Sequence, residues 1–355
     1  MIKVLHFIDS MNWGGAETLV LNTVELLNED EEYQNFIMTL TGGPLEERAI
    51  ELAEYYSVES NKNSLFSNTK RIRKLFQLIK PDIIHSHLLP STLFSRLNIL
   101  SKSKLVSTYH SKLHCKENEY YSLKHFWADK LTFRSKYYTI YVSKAVRKCI
   151  AVPLGITSNH KVLTNFAHPN FKITTPRQSN SQIKIVAIGQ LTLPKNFSLA
   201  IAALSRVKEL GIALDIYGTG PLKDELLEQV SRLDASVTLK GNKEITSDLL
   251  SQYDAFLMTS THEGMPISLI EALRSGIPCI LSNIPELVET AGSSAIYFDV
   301  NNLEDIVQKL IKINNQPNLL KQLRRNSRKV SKQYEPKEFI KQLKSIYISQ
   351  LQSSN

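Results

Sequence analysis

From its first residues the chain alternates short apolar runs with amphipathic stretches, in two series separated by one turn-rich segment. KVLHFID is a mostly apolar run, SMNWGGAET is a loop, and LVLNTVELLNE has its apolar residues at helical spacing. NFIMTL (strand), PLEERAIELAEYY (helix), TKRIRKLFQLIK (amphipathic helix), DIIHSH, KLVSTYH and TIYVS (strands) follow. The second series opens after NFAHPNFKITTPRQSNSQ. It runs IKIVAIG, FSLAIAALSRVKELG, ALDIYG, PLKDELLEQVSRL, VTLKG, TSDLLSQY, AFLMT, ISLIEALRSG and PCILS. Strands separated by helices make βαβ units and therefore parallel sheets. The expected fold is α/β, with two Rossmann-like domains facing an interdomain cleft and ligands at strand carboxyl ends. The boundaries read from the pattern are 1–168, 169–334 and a terminal helix over 335–355 that packs back on the first domain.

At 355 residues the chain is long enough for two such cores, and no low-complexity tract interrupts it. The first apolar run is too short for a signal segment, and no run approaches the length of a membrane span. The odd number and wide spacing of Cys115, Cys149 and Cys279 favour a reduced, cytoplasmic protein over a disulfide or metal framework. Net charge is +9, unevenly spread: residues 1–59 carry 2 basic and 12 acidic side chains, residues 60–150 carry 18 and 4. Such a basic block attracts anionic lipid or a phosphorylated acceptor as readily as nucleic acid. Without a helix-turn-helix, RNP-like or zinc-finger pattern, nucleic acid is not expected as a partner.

The chemistry concentrates in THEGMPISLIEALRSGIPCI, residues 261–280. AFLMT is a buried strand, and STHEG is the turn leaving its carboxyl end. Pro266 suits the first turn of a helix, where a missing N–H costs nothing, and Gly276 suits its end. Glu263 then lies outside the helix and Glu271 inside its second turn. The free N–H groups between them form an anion site suited to phosphate. Two carboxylates flanking a phosphate are placed to grip hydroxyls on either side, one set on a sugar and the other on a ribose.

EGMPISLIE, with seven residues between its glutamates, resembles the E-x7-E motif of retaining GT-B glycosyltransferases of glycosyltransferase family 4. GGAE at 14–17, TYHS, YVS, IGQLTLPKN, IYGTGPLKDEL, VTLKG, EALRSGIPCI and PELVE fall in that family's order. The resemblance implies that Glu271 binds the ribose hydroxyls and Glu263 the hydroxyls of the transferred sugar. The amides of Met265, Ile267 and Ser268 approach the diphosphate, and Gly264 lets the backbone come close. Lys195 matches the diphosphate-binding lysine and supplies charge where the leaving group becomes negative. Gln190 stands where many relatives carry arginine; it donates hydrogen bonds but brings no charge. Gly14 and Gly15 offer bare backbone to the sugar diphosphate, and His110 is placed near the reacting carbon. Glu17 is read as a first-turn helix acid.

Several features belong to no such role. His85 and His87 are placed on opposite faces of their strand and are not expected to ligate metal. His110, His114 and Cys115 lack further ligands at metal spacing. GTGPLK lacks the third glycine of a dinucleotide loop; the resemblance puts the nucleotide base near it and near Lys243 to Ile245. The implied reaction moves a sugar from a nucleotide diphosphate, a UDP-sugar ahead of a GDP-sugar, with retention and without cofactor or metal. The implied acceptor is a lipid-linked saccharide of cell-surface polysaccharide synthesis (capsule, exopolysaccharide or O-antigen). The basic block and TKRIRKLFQLIK suggest peripheral contact with an anionic membrane at its cytoplasmic face. Competing readings are an NAD-dependent oxidoreductase, a nucleotide-sugar epimerase, and a catalytically weak or silent sugar-nucleotide-binding protein, to which Gln190 lends weight.

Overall fold

In the computed structural model, residues 1–60, 64–115, 122–175, 177 and 182–353 are described. Part of the linker read at 165–182 (176 and 178–181) lies outside them. The chain forms two compact units: Met1–Thr164 with Lys337–Asn355, and Asn165–Pro336. The first holds β1 (Ile2–Ile8), β2 (Tyr33–Thr39), β3 (Glu54–Ser57), β4 (Ile83–His87), β5 (Lys104–Tyr109), β6 (Tyr138–Tyr141) and β7 (His160–Val162). The second holds β8 (Lys184–Ile188), β9 (Ala213–Tyr217), β10 (Val237–Gly241), β11 (Ala255–Met258), β12 (Cys279–Ser282) and β13 (Ala295–Phe298). All pairings are parallel, in the orders β3-β2-β1-β4-β5-β6-β7 and β10-β9-β8-β11-β12-β13. Each is a doubly wound Rossmann-like sheet whose order reverses once, between β1 and β4 and between β8 and β11, where such sheets open for ligands.

Alternation along β1 shows how the first sheet is filled. Leu5 and Phe7 meet Ile72 and Phe76 of the Leu65–Ile79 helix on one face. Ile8 meets Val20, Leu21 and Val24 of the Gly15–Leu27 helix on the other. The apolar side of TKRIRKLFQLIK is therefore consumed by the core, and that segment is a domain-surface helix. AEYY, read as the end of a helix, instead forms most of β3, because its tyrosines pair beside β2 after the Glu46–Leu52 helix stops.

The terminal helix, Pro336–Gln352, belongs almost wholly to the first unit. Tyr347 is fully buried there, its hydroxyl 2.6 Å from His85 Nδ1, and Lys344 meets Asp30 at 2.5 Å. Three sequence readings need correction. Side chains alternate face with every residue, so His85 and His87, two apart, share a face, and their rings stand 4.1 Å apart. Cys115 and Cys149 are joined by a disulfide, 34 residues apart in sequence but 5.4 Å apart at Cα. Spacing along the chain says nothing of distance across a fold; only Cys279 is a free, buried thiol. Pro266 stands one position earlier than expected, as the extended cap before the Ile267–Arg274 helix.

A polar anchor holds the Leu123–Thr132 helix. Asp129 is its sole buried residue, bonded to Arg96 Nη1 (2.5 Å), His114 Nε2 (2.7 Å) and Tyr109 OH (2.8 Å). Burial pushes the Asp129 carboxyl up, but the His114 bond and the Arg96 charge outweigh it and its pKa is lowered. Removing one partner of such a pair strands the other charge in a dry interior. Asp129→Asn is therefore expected to cost about 3–5 kcal/mol in urea unfolding; a loss below about 1 kcal/mol would show that the network is solvated.

Candidate active site

At the order reversal of the second sheet two loops leave neighbouring strands. Ala255 pairs with Ile185 and Phe256 with Val186, so the carboxyl ends of β8 and β11 lie side by side. The loop after β8 tightens into a turn at Leu193–Lys195. The loop after β11 is laced to it: Thr261 N donates to Pro194 O (2.8 Å) and Thr259 Oγ1 to Lys195 O (2.9 Å). Glycine is needed where β8 meets β9. Gly218 has φ +145°, and a Cβ there would lie 1.9 Å from Gly189 O.

These loops bring together residues 68 apart in sequence. Lys195 Nζ lies 2.5 Å from Glu263 Oε1, which also accepts from Ser260 Oγ at 2.7 Å. Lys195 is neutralised by the acid read as the sugar-binding one, and both side chains keep some exposure (21% and 10%). A ligand phosphate can displace the carboxylate from the lysine without a buried charge being left bare, since either group can turn to water.

The Ile267–Arg274 helix starts next to this pair. Pro266 has no side-chain bond to offer as cap, and the first helical bond is Ile270 N to Pro266 O (3.3 Å). The N–H groups of Ile267, Ser268 and Leu269 thus emerge from the helix end, where the dipole is positive. Ser268 Oγ reaches Ile188 O at 3.4 Å, which sets this end over the end of β8. Gly264 and Met265 are buried, and Asn165 fixes them: its Nδ2 donates to Met265 O at 2.8 Å. The helix closes at Gly276, whose φ of +74° suits glycine.

Glu271 projects from the second turn. It is buried (8% exposed), and its carboxylate has no hydrogen bond or ion pair among the described residues. Burial pushes its pKa up to about 8. A buried acid without a partner, within two turns of an open helix end, is suited to accept hydrogen bonds from an incoming ligand. Gln190 lies on the exposed edge of the β8 loop. Lys195, Glu263, Gly264, Met265, Ile267, Ser268, Glu271 and Gln190 all belong to the second unit.

Gly14, Gly15 and His110 belong to the first unit and are described within it. Gly14 precedes the Gly15–Leu27 helix after β1. A Cβ on Gly14 would lie 2.3 Å from Glu17 Oε2, so Glu17 folds its carboxylate back over the glycine loop. Burial, and to a lesser degree Asp9, raises the Glu17 pKa to about 7. A first-turn acid ordinarily faces solvent, whereas Glu17 is buried. His110 follows β5, with Nε2 3.2 Å from His87 Nδ1, and desolvation lowers its pKa to about 4, so the ring is neutral at pH 7.

His6, His85 and His87 bring ligand atoms within 4.8 Å of one another, because His85 and His87 share a face of β4. The His6 and His87 rings are stacked, 19° from parallel, and both His85 nitrogens already meet hydroxyls, those of Tyr347 and Thr108. Metal binding needs in-plane lone pairs that converge on one point, and stacked rings direct them side by side. His114 and Cys115 are likewise committed, to Asp129 and to Cys149.

Two family models match the chain, Glycosyltransferase Family 4 over residues 13–166 and Glycosyl transferases group 1 over residues 172–330. The chain belongs to the GT-B glycosyltransferases built from these two domains. The amylovoran biosynthesis glycosyltransferase AmsD of Erwinia amylovora is 28% identical over 302 residues (79% of this chain, 80% of AmsD). The O-antigen biosynthesis glycosyltransferase WclY of Escherichia coli is 26% identical over 328 residues (86% and 87%). Among solved structures, Anabaena Alr3699/HepE in complex with UDP-glucose superposes with TM-score 0.83 at 17% identity, covering 98% of this chain and 100% of that one. At that identity the likeness shows the fold.

The pH dependence of stability tests the burial of Glu271. Its pKa rises from 4.5 unfolded to about 8 folded, so folding takes up a proton and the fold loses stability as pH rises through that window. Glu271→Gln removes the titration. In ligand-free protein the variant should gain on wild type between those two pKa values, by up to about 1.4 kcal/mol per pH unit. A difference in urea midpoint that stays constant with pH would contradict the burial.

Proposed function

We propose that the protein is a retaining glycosyltransferase of family 4 that moves a sugar from a nucleotide diphosphate, a UDP-sugar ahead of a GDP-sugar, to a lipid-linked saccharide. The observation that carries this reading is the set formed by the Lys195–Glu263 pair, the open helix end at Ile267 and unpartnered Glu271. The diphosphate sits on the helix end and draws Lys195 away from Glu263. Glu271 accepts from the ribose hydroxyls, and the freed Glu263 accepts from hydroxyls of the sugar. His110, neutral at pH 7, contacts a sugar hydroxyl, and Gly14 and Gly15 offer backbone N–H groups once Glu17 turns aside.

In the reaction the bond between the anomeric carbon and the diphosphate oxygen breaks while the acceptor oxygen attacks from the same face. The leaving phosphate oxygen takes the acceptor's proton, so no protein base is required. Lys195 and the helix dipole stabilise the charge that develops on the diphosphate, and no metal is assigned a part. HepE has been solved with UDP-glucose, and relatives serve amylovoran and O-antigen synthesis; both favour a UDP-sugar donor and a cell-surface polysaccharide product. Among the described residues no helix is long and apolar enough to cross a membrane. Work on a lipid-linked acceptor at the cytoplasmic face then calls for peripheral contact with the bilayer.

A melting-temperature panel of UDP-, GDP- and ADP-sugars identifies the donor, since a bound ligand stabilises in proportion to its occupancy. Product analysis with lipid-diphosphate acceptors should show retained anomeric configuration; inversion would refute the mechanism. Lys195→Ala should lower turnover by about 10²–10³-fold, and an unchanged rate would remove it from the site. Gln190 supports one second reading, a silent sugar-nucleotide binder, which donor binding without turnover on any acceptor would favour. If missing charge weakens donor grip, Gln190→Arg tightens donor binding; equal affinity would refute that explanation.

A further inference from the structure

The Leu123–Thr132 helix is inside out by the ordinary rule for surface helices. Asp129, its one acid, is its one buried residue, held by Arg96, Tyr109 and His114. Its large apolar side chains stay outside: Leu123, Trp127 and Leu131 are 62%, 52% and 68% exposed. These three lie four residues apart, so they form one stripe, and Asp129 points away from it. An amphipathic surface helix normally spends its apolar stripe on the core, as the Leu65–Ile79 helix does with Ile72 and Phe76. Here a buried ion pair does the docking and the stripe is left unused.

The stripe continues onto the next helix. Lys130 Nζ lies over the Phe126 and Trp127 rings (5.5 and 5.8 Å) and reaches Pro153 O at 3.4 Å. That carbonyl adjoins Val152, which is 75% exposed. Residues 122–155 carry seven basic side chains and one acid, the buried Asp129. Lys124 and Lys130 of this helix, Arg134 just beyond it (Nη1 2.9 Å from Leu131 O) and Lys148, one turn before Val152, are exposed. An indole beside aliphatic side chains within a cationic rim matches a bilayer interface, where rings and chains enter the headgroup region and cations meet anionic lipid. A protein partner would instead have to match this surface with acidic groups around an apolar centre.

We propose that the exposed face of the Leu123–Thr132 helix, with Val152 and its basic rim, is the surface by which this protein docks on anionic membranes. The inference assigns that contact a place on the fold and stands whichever donor and acceptor the enzyme uses. The test is sedimentation of the full chain with phosphatidylglycerol-containing or pure phosphatidylcholine vesicles, comparing wild type with Trp127→Ser/Leu131→Ser. Both positions are exposed, so the variant should melt as wild type does. Wild type should partition onto the anionic vesicles only, and the double substitution should weaken partitioning about tenfold or more. In a Trp13→Phe background, brominated lipid should quench the remaining tryptophan, Trp127. Equal sedimentation of variant and wild type, absence of binding by wild type, or lack of quenching would each overturn the proposal. So would a dimer in sedimentation velocity that the double substitution dissociates, which would make the stripe a contact between copies. Donor-induced melting shifts on the same variants read the active site separately: lost vesicle binding with an intact shift supports the proposal, and no shift in any protein counts against the donor reading alone.

Discussion

A buried carboxyl group that bonds to none of the described residues is costly, and Glu271 of the second unit is one. Desolvation holds its proton on well above the ordinary range. The position is tolerable because the acid stays neutral at pH 7. Its place follows from where the helix starts. Pro266 ends the loop in extended backbone and Ile267 begins the helix, so the acid falls in the second turn, three residues on from Ser268, whose hydroxyl reaches the end of β8. A one-residue shift of that start would swing Glu271 by about 100° and separate it from the open N–H groups.

Glu263 is the complement. It stands outside the helix on a loop tied to the Lys195 turn by two hydrogen bonds, and it pairs with Lys195. One acid is paired and partly exposed; the other is unpaired and buried. That difference in environment, with both carboxylates in one segment, underlies the separate tasks proposed for them.

Much of this was legible in the sequence because it is local. The alternation of strands and helices gives two parallel sheets, and Pro266 and Gly276 bracket the helix that separates the two acids. What was not legible depends on neighbours distant in sequence. The His85–His87 grouping follows from simple strand alternation, but its tie to Tyr347 arises only when the terminal helix returns. AEYY reads as the end of a helix because helical spacing carries through it, yet an edge position beside β2 was open to it. The Cys115–Cys149 bond and the Asp129 network join residues whose spacing matches no motif. The polar docking of the Leu123–Thr132 helix is of the same kind: its apolar stripe reads as core, and only Asp129 in place shows that stripe to be outside.

The central claim is that the nucleotide rests on the open end of the Ile267–Arg274 helix with its ribose against Glu271. A structure determined with UDP bound measures this most directly. The account predicts diphosphate oxygens within about 3.2 Å of the Ile267 or Ser268 N–H groups, ribose hydroxyls equally close to the Glu271 carboxylate, and Lys195 turned from Glu263 to phosphate. UDP seated elsewhere, with Glu271 still unpartnered and the Lys195–Glu263 pair intact, would contradict it.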